Sequence, residues 1–275
     1  DRYKAEAKFL RAYYHFELVR HFGPVPLVNT LLAPDEINLE RNTISEVFES
    51  ITADLQDAVD ELPVTVSSAE VGRVTKGAAL GMLGKAYLYW ADMVNDDPAK
   101  FDLAADAFQQ LVNLGVYELE DDMQSLYNFN ARNTGESVFE IQHNSLWSSD
   151  WGWYEGIDGN GIVQLCGIRG LCEEHPTYSP GWGFMMVTKE LYDHYLPDDE
   201  YRRDVAIATE ESLAFAIDTA GGSCAVTIDR TLSNPIDYTG YWQQKYANYK
   251  AHQGTNVNGG NPNLTKSANT HPIRY

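Results

Sequence analysis

Residues Ala5–Leu27, AEAKFLRAYYHFELVRHFGPVPL, decide how the fold is read. Ala5, Phe9, Ala12, Phe16 and Val19 recur at intervals of four and three, which gathers them into one stripe on a helix. Leu10, Tyr14 and Leu18 make a second apolar row beside it, and the expectation is a helix covered on two sides. Gly23 and Pro24 end the helix, because glycine accepts a left-handed cap and proline cannot continue the hydrogen-bond ladder.

Working outward, Thr43-Ile44-Ser45-Glu46 has the form of a capping box, in which hydroxyl and carboxylate each satisfy a free backbone N–H. It opens a helix whose stripe is Val47, Ile51, Leu55, Ala58 and Leu62, closed by Pro63. The next helix runs from about Thr75 to Met93 with Ala79, Leu83, Ala86, Trp90 and Met93 on its buried side. Gly77, Gly81 and Gly84 are costly inside a helix unless something must come close, and they predict tight pairing with another backbone. Ile51, Leu55, Ala58 and Pro63, and then Ala104 with Phe108 after Pro98, have the offsets of tetratricopeptide-like hairpins. Two such hairpins can be counted, and stacked hairpins ask for more neighbours.

From about Gly115 the helical period fades and Gly, Asn, Asp, Trp and Tyr accumulate, broken by a strand at Val138–Gln142 and a helix around Thr188–Leu196. Asn256–Asn269 reads as a polar surface loop. The expected fold is mainly α, with tetratricopeptide-like helical hairpins over 1–114 and a loop-rich region carrying short strands over 115–275. Function usually sits on the irregular part.

Bulk chemistry narrows the partners. A formal charge of −20 disfavours nucleic acid and anionic headgroups, both of which need clustered Lys and Arg. Three cysteines are too few for a disulfide framework, although Cys166 and Cys172 could bridge a short loop. With His175 they offer three zinc ligands but no fourth, and no metal or other cofactor is expected. Asp158-Gly159-Asn160-Gly161 looks like part of a calcium loop, but Gly156 and Gly167 stand where acidic ligands belong, so it is read as a turn. Gly221–Ala225 lacks the last glycine of a nucleophile elbow. Adjacent acids at Asp121-Asp122, Glu173-Glu174 and Asp198-Asp199-Glu200 are read as solvated surface rather than as a glycosidase pair.

The stretch that suggests binding is Asn144–Tyr154, NSLWSSDWGWY, with three Trp and one Tyr among small hydrogen-bonding residues and no burial period. A sugar ring has an apolar C–H face that an aromatic plane can cover and a rim of hydroxyls that Asn and Asp can pair. Packing between helices and loops is the other use for such rings. The candidate glycan contacts are Asn144, Trp147, Trp151, Trp153 and Tyr154, with Tyr178 behind them. Trp90 and Trp182 are expected in the core, while Tyr238, Tyr241 and Trp242 fit either role.

The FLRAYYHFELVRHFGPVPL run resembles the signature helix of the SusD/RagB family, glycan-binding lipoproteins of the bacterial outer-membrane surface. ITADLQDAVDELP, GRVTKGAALGMLGKAYLYWAD, ESVFEIQ and GWGFMMVTKELYDHYLPDDEYRRD agree with that family in order and spacing. The resemblance implies a non-catalytic protein that holds oligosaccharide at the cell surface and delivers it to a SusC-like, TonB-dependent transporter. It places the sugar on an aromatic arc in the irregular half, and membrane attachment through a lipid anchor outside this sequence. In that family the IRY near the end leads into another long helix, so the chain reads as an internal fragment. A tetratricopeptide-like protein-interaction module without sugar binding is the second reading, and a glycan hydrolase the third.

Overall fold

In the computed structural model the first stripe is buried as its spacing requires. The structure describes residues 1–94, 97–127, 131–143, 165–171, 175–214, 239–244, 247 and 270–274. The fold is mainly helical with short strands, and the chain divides into two compact units. The first comprises 1–119, 135–140 and 271–275, and the second 120–134 and 141–270.

Four helices build the first unit. They are α1 (Arg2–Phe22), α2 (Ile44–Glu61), α3 (Lys76–Met93) and α4 (Pro98–Asn113). Each packs on the next in chain order. Helix α1 buries Ala5, Phe9, Ala12, Phe16 and Val19. Its second row is not covered: Leu10, Tyr14 and Leu18 are 44%, 62% and 41% exposed. The double stripe therefore presents one face to the core and one to the surface, because α2 supplies the main packing surface for α1 and no described element lies over the other row.

The capping box forms as the sequence indicates. Glu46 donates its backbone N–H to Thr43 Oγ1 at 3.3 Å, and Thr43 N–H donates to the Glu46 carboxylate at 2.8 Å. The Thr43 backbone N–H, and then the Thr43 hydroxyl, which donates to the same carboxylate at 2.9 Å, hold the Glu46 carboxyl below the usual range. Arg11 joins α1 to α2 by donating from Nε and Nη2 to both oxygens of the buried Asp54 at 2.7 Å, and it donates again to the Asn29 carbonyl. That fork fixes the azimuth of α1 as well as its distance.

Helix α3 lies deepest, with eleven of its 18 residues buried. Its three glycines do admit close neighbours, but the neighbours are side chains rather than a second helix backbone. A Cβ at Gly77 would sit 2.2 Å from the Tyr117 hydroxyl, at Gly81 2.7 Å from Ile273, and at Gly84 2.6 Å from the Phe108 ring. Tyr117 lies beyond α4 and hydrogen bonds Thr75 at the start of α3. Ile273 lies in β4 (Thr270–Arg274), which pairs with β1 (Ser137–Ile141). Phe139 of β1 meets Phe9 edge to face at 5.1 Å. Trp90 is buried as expected, stacked on Phe48 at 5.9 Å, with Lys100 over its ring at 3.8 Å.

His15 is the odd member of the buried face of α1. Its Nδ1 has no hydrogen-bond partner among the described residues, and burial, then Arg11, pushes its pKa down while Asp54 pulls the other way.

Two outcomes are expected. Gly84→Ala gains helix propensity but drives a methyl into the Phe108 ring, so urea unfolding should show a net loss of about 1 to 2 kcal/mol. Phe108→Ala in the same chain should remove most of that penalty, giving a non-additive double-mutant cycle. For His15, the unfolded chain takes up a proton near the ordinary value of about 6.5 and the folded chain only below it. The associated stability is whole above about pH 6.5 and is lost as pH falls through the depressed folded value. His15→Gln should flatten that part of a denaturation midpoint-versus-pH curve.

Candidate functional site

The second unit is organised by a small antiparallel pair, β2 (Ile207–Thr209) and β3 (Tyr241–Gln243), in which Ala208 faces Trp242. Before it lie two short helices, α5 (Lys189–His194), capped by Thr188 accepting the Leu191 N–H, and α6 (Glu200–Ala206). Ile168, Leu171, Tyr178, Ala208, Leu213, Trp242 and Ala247 form the core. Strands β2 and β3, of three residues each, are too short to show alternation and were not expected, nor was β4. Trp242 is fully buried, and Tyr241 packs on Tyr192, over which Arg203 lies at 4.7 Å.

The aromatic segment Asn144, Trp147, Trp151, Trp153 and Tyr154 lies outside the described residues, as do Tyr238, the Asp158–Gly161 turn, Gly221–Ala225 and Asn256–Asn269. Tyr178 is described and is 8% exposed. Its ring stacks on His175 at 5.2 Å, and its hydroxyl accepts from Gln244 Nε2 at 2.5 Å. His175 Nδ1 accepts the backbone N–H groups of Thr177 and Tyr178, which commits that nitrogen to the turn. Cys166 is a buried free thiol rather than half of a bridge to Cys172, and burial raises its pKa. Among the described residues no group of three His, Cys, Asp or Glu side chains could hold a metal.

Two acidic residues of this unit, Asp122 and Glu200, have structural partners. Asp122 accepts from the Tyr201 hydroxyl and from Gln124 N–H at 2.9 Å, and these hold its pKa down, the opposite of what a general acid needs. Glu200 lies 3.7 Å from Arg203 within α6.

The main correction concerns residues 181–187, Gly-Trp-Gly-Phe-Met-Met-Val. Trp182, expected in the core, is 38% exposed, Phe184 is 51% exposed and Met185 is 72% exposed. The backbone beneath them is fixed on both sides. Gly181, Gly183 and Phe184 donate N–H groups to Ile168, Gly167 and Leu165 at 2.7, 2.9 and 2.8 Å. Gln243 Nε2 donates to the Met185 carbonyl at 2.6 Å, and Val187 N–H to the Tyr241 carbonyl at 3.1 Å. A Cβ at Gly181 would stand 2.5 Å from the Gly167 backbone, so only glycine permits this approach. Met185 has φ of 58°, a left-handed conformation that costs a residue with a side chain about 1 to 3 kcal/mol. Gly181 and Gly183, which flank Trp182, are the sequence features that permit this backbone path.

Comparison with known proteins gives a consistent picture. Residues 1–88 match the family described as "Starch-binding associating with outer membrane". The SusD-like protein P2 of Formosa agariphila is 30% identical over 211 residues, which is 74% of this chain and 38% of that protein. Among solved structures, a laminarin-binding SusD-like protein superposes with a TM-score of 0.78 at 31% identity, covering 99% of this chain and 57% of its own. Surface glycan-binding protein A from Bacteroides thetaiotaomicron, in complex with laminarihexaose, gives 0.76 at 22% identity over 100% of this chain and 55% of that one, a likeness of fold. The chain thus spans 38% to 57% of the length of these proteins.

Proposed function

The chain belongs to the SusD/RagB family, and from that premise we propose that it is a non-catalytic binder of neutral glycan, working at the bacterial cell surface. The observation that carries this reading is the 31% identity over 99% of the chain to a protein named for binding laminarin. Laminarin-type glucan is accordingly the proposed ligand class. The charge of −20 supports an uncharged ligand over an anionic one, since the chain offers few cations to pair.

Within this reading the second unit carries the sugar, and Asn144, Trp147, Trp151, Trp153 and Tyr154 are its proposed contacts. Rings that stack on C–H faces, with Asn at the hydroxyl rim, give shallow, partly solvated contacts. Affinity of about 0.1 to 1 mM, or roughly 4 to 5.5 kcal/mol, suits a protein that must release what it captures. The recipient is proposed to be a SusC-like, TonB-dependent transporter in the outer membrane, to which the whole protein would be held by a lipid anchor. The helical unit is the proposed docking scaffold, and its support is the uncovered row Leu10, Tyr14 and Leu18 on α1. The same row supports the second reading, a helical interaction module without sugar binding.

Titration of the chain with laminarihexaose, followed by tryptophan fluorescence, separates the two. The expected result is a saturable change, lost in a folded Trp147→Ala, Trp151→Ala, Trp153→Ala triple variant. A native-like spectrum that ignores laminarihexaose and other neutral oligosaccharides would leave the interaction module as the surviving reading.

A further inference from the structure

We propose that Met185 is a modification site, at which a hydroperoxide oxidises the thioether to the sulfoxide and so changes the polarity of this surface while leaving the fold in place. The inference is independent of the glycan-binding reading.

The five methionines of the chain form a comparison set, since all of them lie among the described residues. Met82 is fully buried in α3, Met93 and Met186 pack against the hydrophobic cores of the first and second units, and Met123 is half-buried. Met185 alone is exposed, at 72%. Peroxide must reach the sulfur lone pair, so access ranks the five sites. The sharpest contrast is the neighbouring pair, because Met185 and Met186 share their local sequence and differ in burial.

That exposure is built into the backbone. Phe184 N–H donates to the Leu165 carbonyl, Gln243 Nε2 to the Met185 carbonyl and Val187 N–H to the Tyr241 carbonyl, so the chain is held before, at and after Met185. Met185 itself is kept at φ of 58°, a left-handed conformation that persists only where its surroundings over-determine it. In the reaction a lone pair on the Met185 sulfur attacks one peroxide oxygen. The S–O bond forms as the O–O bond breaks, and the displaced oxygen takes the proton and leaves as water or an alcohol. The sulfur is oxidised and the peroxide reduced by the same electron pair. The product is a polar, chiral side chain in place of an apolar one, and methionine sulfoxide reductase reverses it. Met185 belongs to neither hydrophobic core, so the new oxygen meets water rather than packed side chains. Phe184 beside it is exposed as well, and the change therefore falls on an apolar patch.

The test treats the folded chain with a limited dose of hydrogen peroxide and follows each methionine by peptide mass mapping. Met185 should gain an oxygen about tenfold faster than Met82, and ahead of Met93, Met123 and Met186. Equal rates, or Met186 leading, overturn the proposal, as does a Met185 preference that survives in unfolding urea, where burial no longer ranks the sites. The oxidised chain should keep its urea midpoint and elute earlier from a hydrophobic-interaction column, and methionine sulfoxide reductase should restore its retention. Met185→Leu, first shown to keep its far-UV circular dichroism, should show no peroxide-induced change of retention. A change that persists in Met185→Leu assigns the switch to another residue, and a urea midpoint lowered by peroxide in the wild type alone makes Met185 a packing residue; either result overturns the proposal.

Discussion

Everything in the first unit depends on the surface of α3 being cut away at three points. Without Cβ atoms at Gly77, Gly81 and Gly84, Tyr117, Ile273 and Phe108 each reach the helix at distances no other residue would allow. The consequences run along the chain in both directions. Phe108 sets the approach of α4, Tyr117 ties the segment after α4 to Thr75 at the beginning of α3, and Ile273 brings β4 onto the helix. Because β4 pairs with β1, whose Phe139 packs on Phe9 and Tyr13, the same cut surface also helps to close the core over α1. Glycine would normally weaken a helix by about 1 kcal/mol at each position relative to alanine. Here that loss is offset by three tight contacts, one of which joins the last described strand to the first unit.

The helical half was largely legible because burial writes a period into the sequence. The stripes of α1, α2 and α3, the capping box at Thr43 and the burial of Trp90 all follow from intervals of three and four or from local capping chemistry. What periodicity does not tell is which of two apolar rows a neighbour covers. Leu10, Tyr14 and Leu18 have the same spacing as the buried row beside them and yet lie on the surface, since only the path of the chain after Gly23 decides where α2 packs. The glycines were read correctly as points of close approach, but a single sequence does not say whether backbone or side chain will fill the space.

The second unit was harder to read for a different reason. Its strands are three residues long, and its core mixes Tyr178, His175 and Trp242, polar-edged side chains whose burial depends on finding particular partners. Gln244 satisfies the Tyr178 hydroxyl from 66 residues away, a pairing with no local signature. Trp182 was misplaced because size and hydrophobicity argue for burial, whereas the information lay in its neighbours. Gly181 and Gly183 fix a backbone path that turns the ring outward. The proposed contacts Asn144, Trp147, Trp151, Trp153 and Tyr154 were found by composition alone, so their part in the site rests on chemistry and family likeness.

The loop at Trp182 holds exposed apolar side chains on a backbone that is fixed rather than slack. The cost of such a display falls on the protein, as exposed apolar area and as the left-handed turn at Met185. It is tolerable because that cost is spread across hydrogen bonds to two separate segments, at Leu165–Ile168 and at Tyr241–Gln243, so that no single interaction has to hold the loop alone.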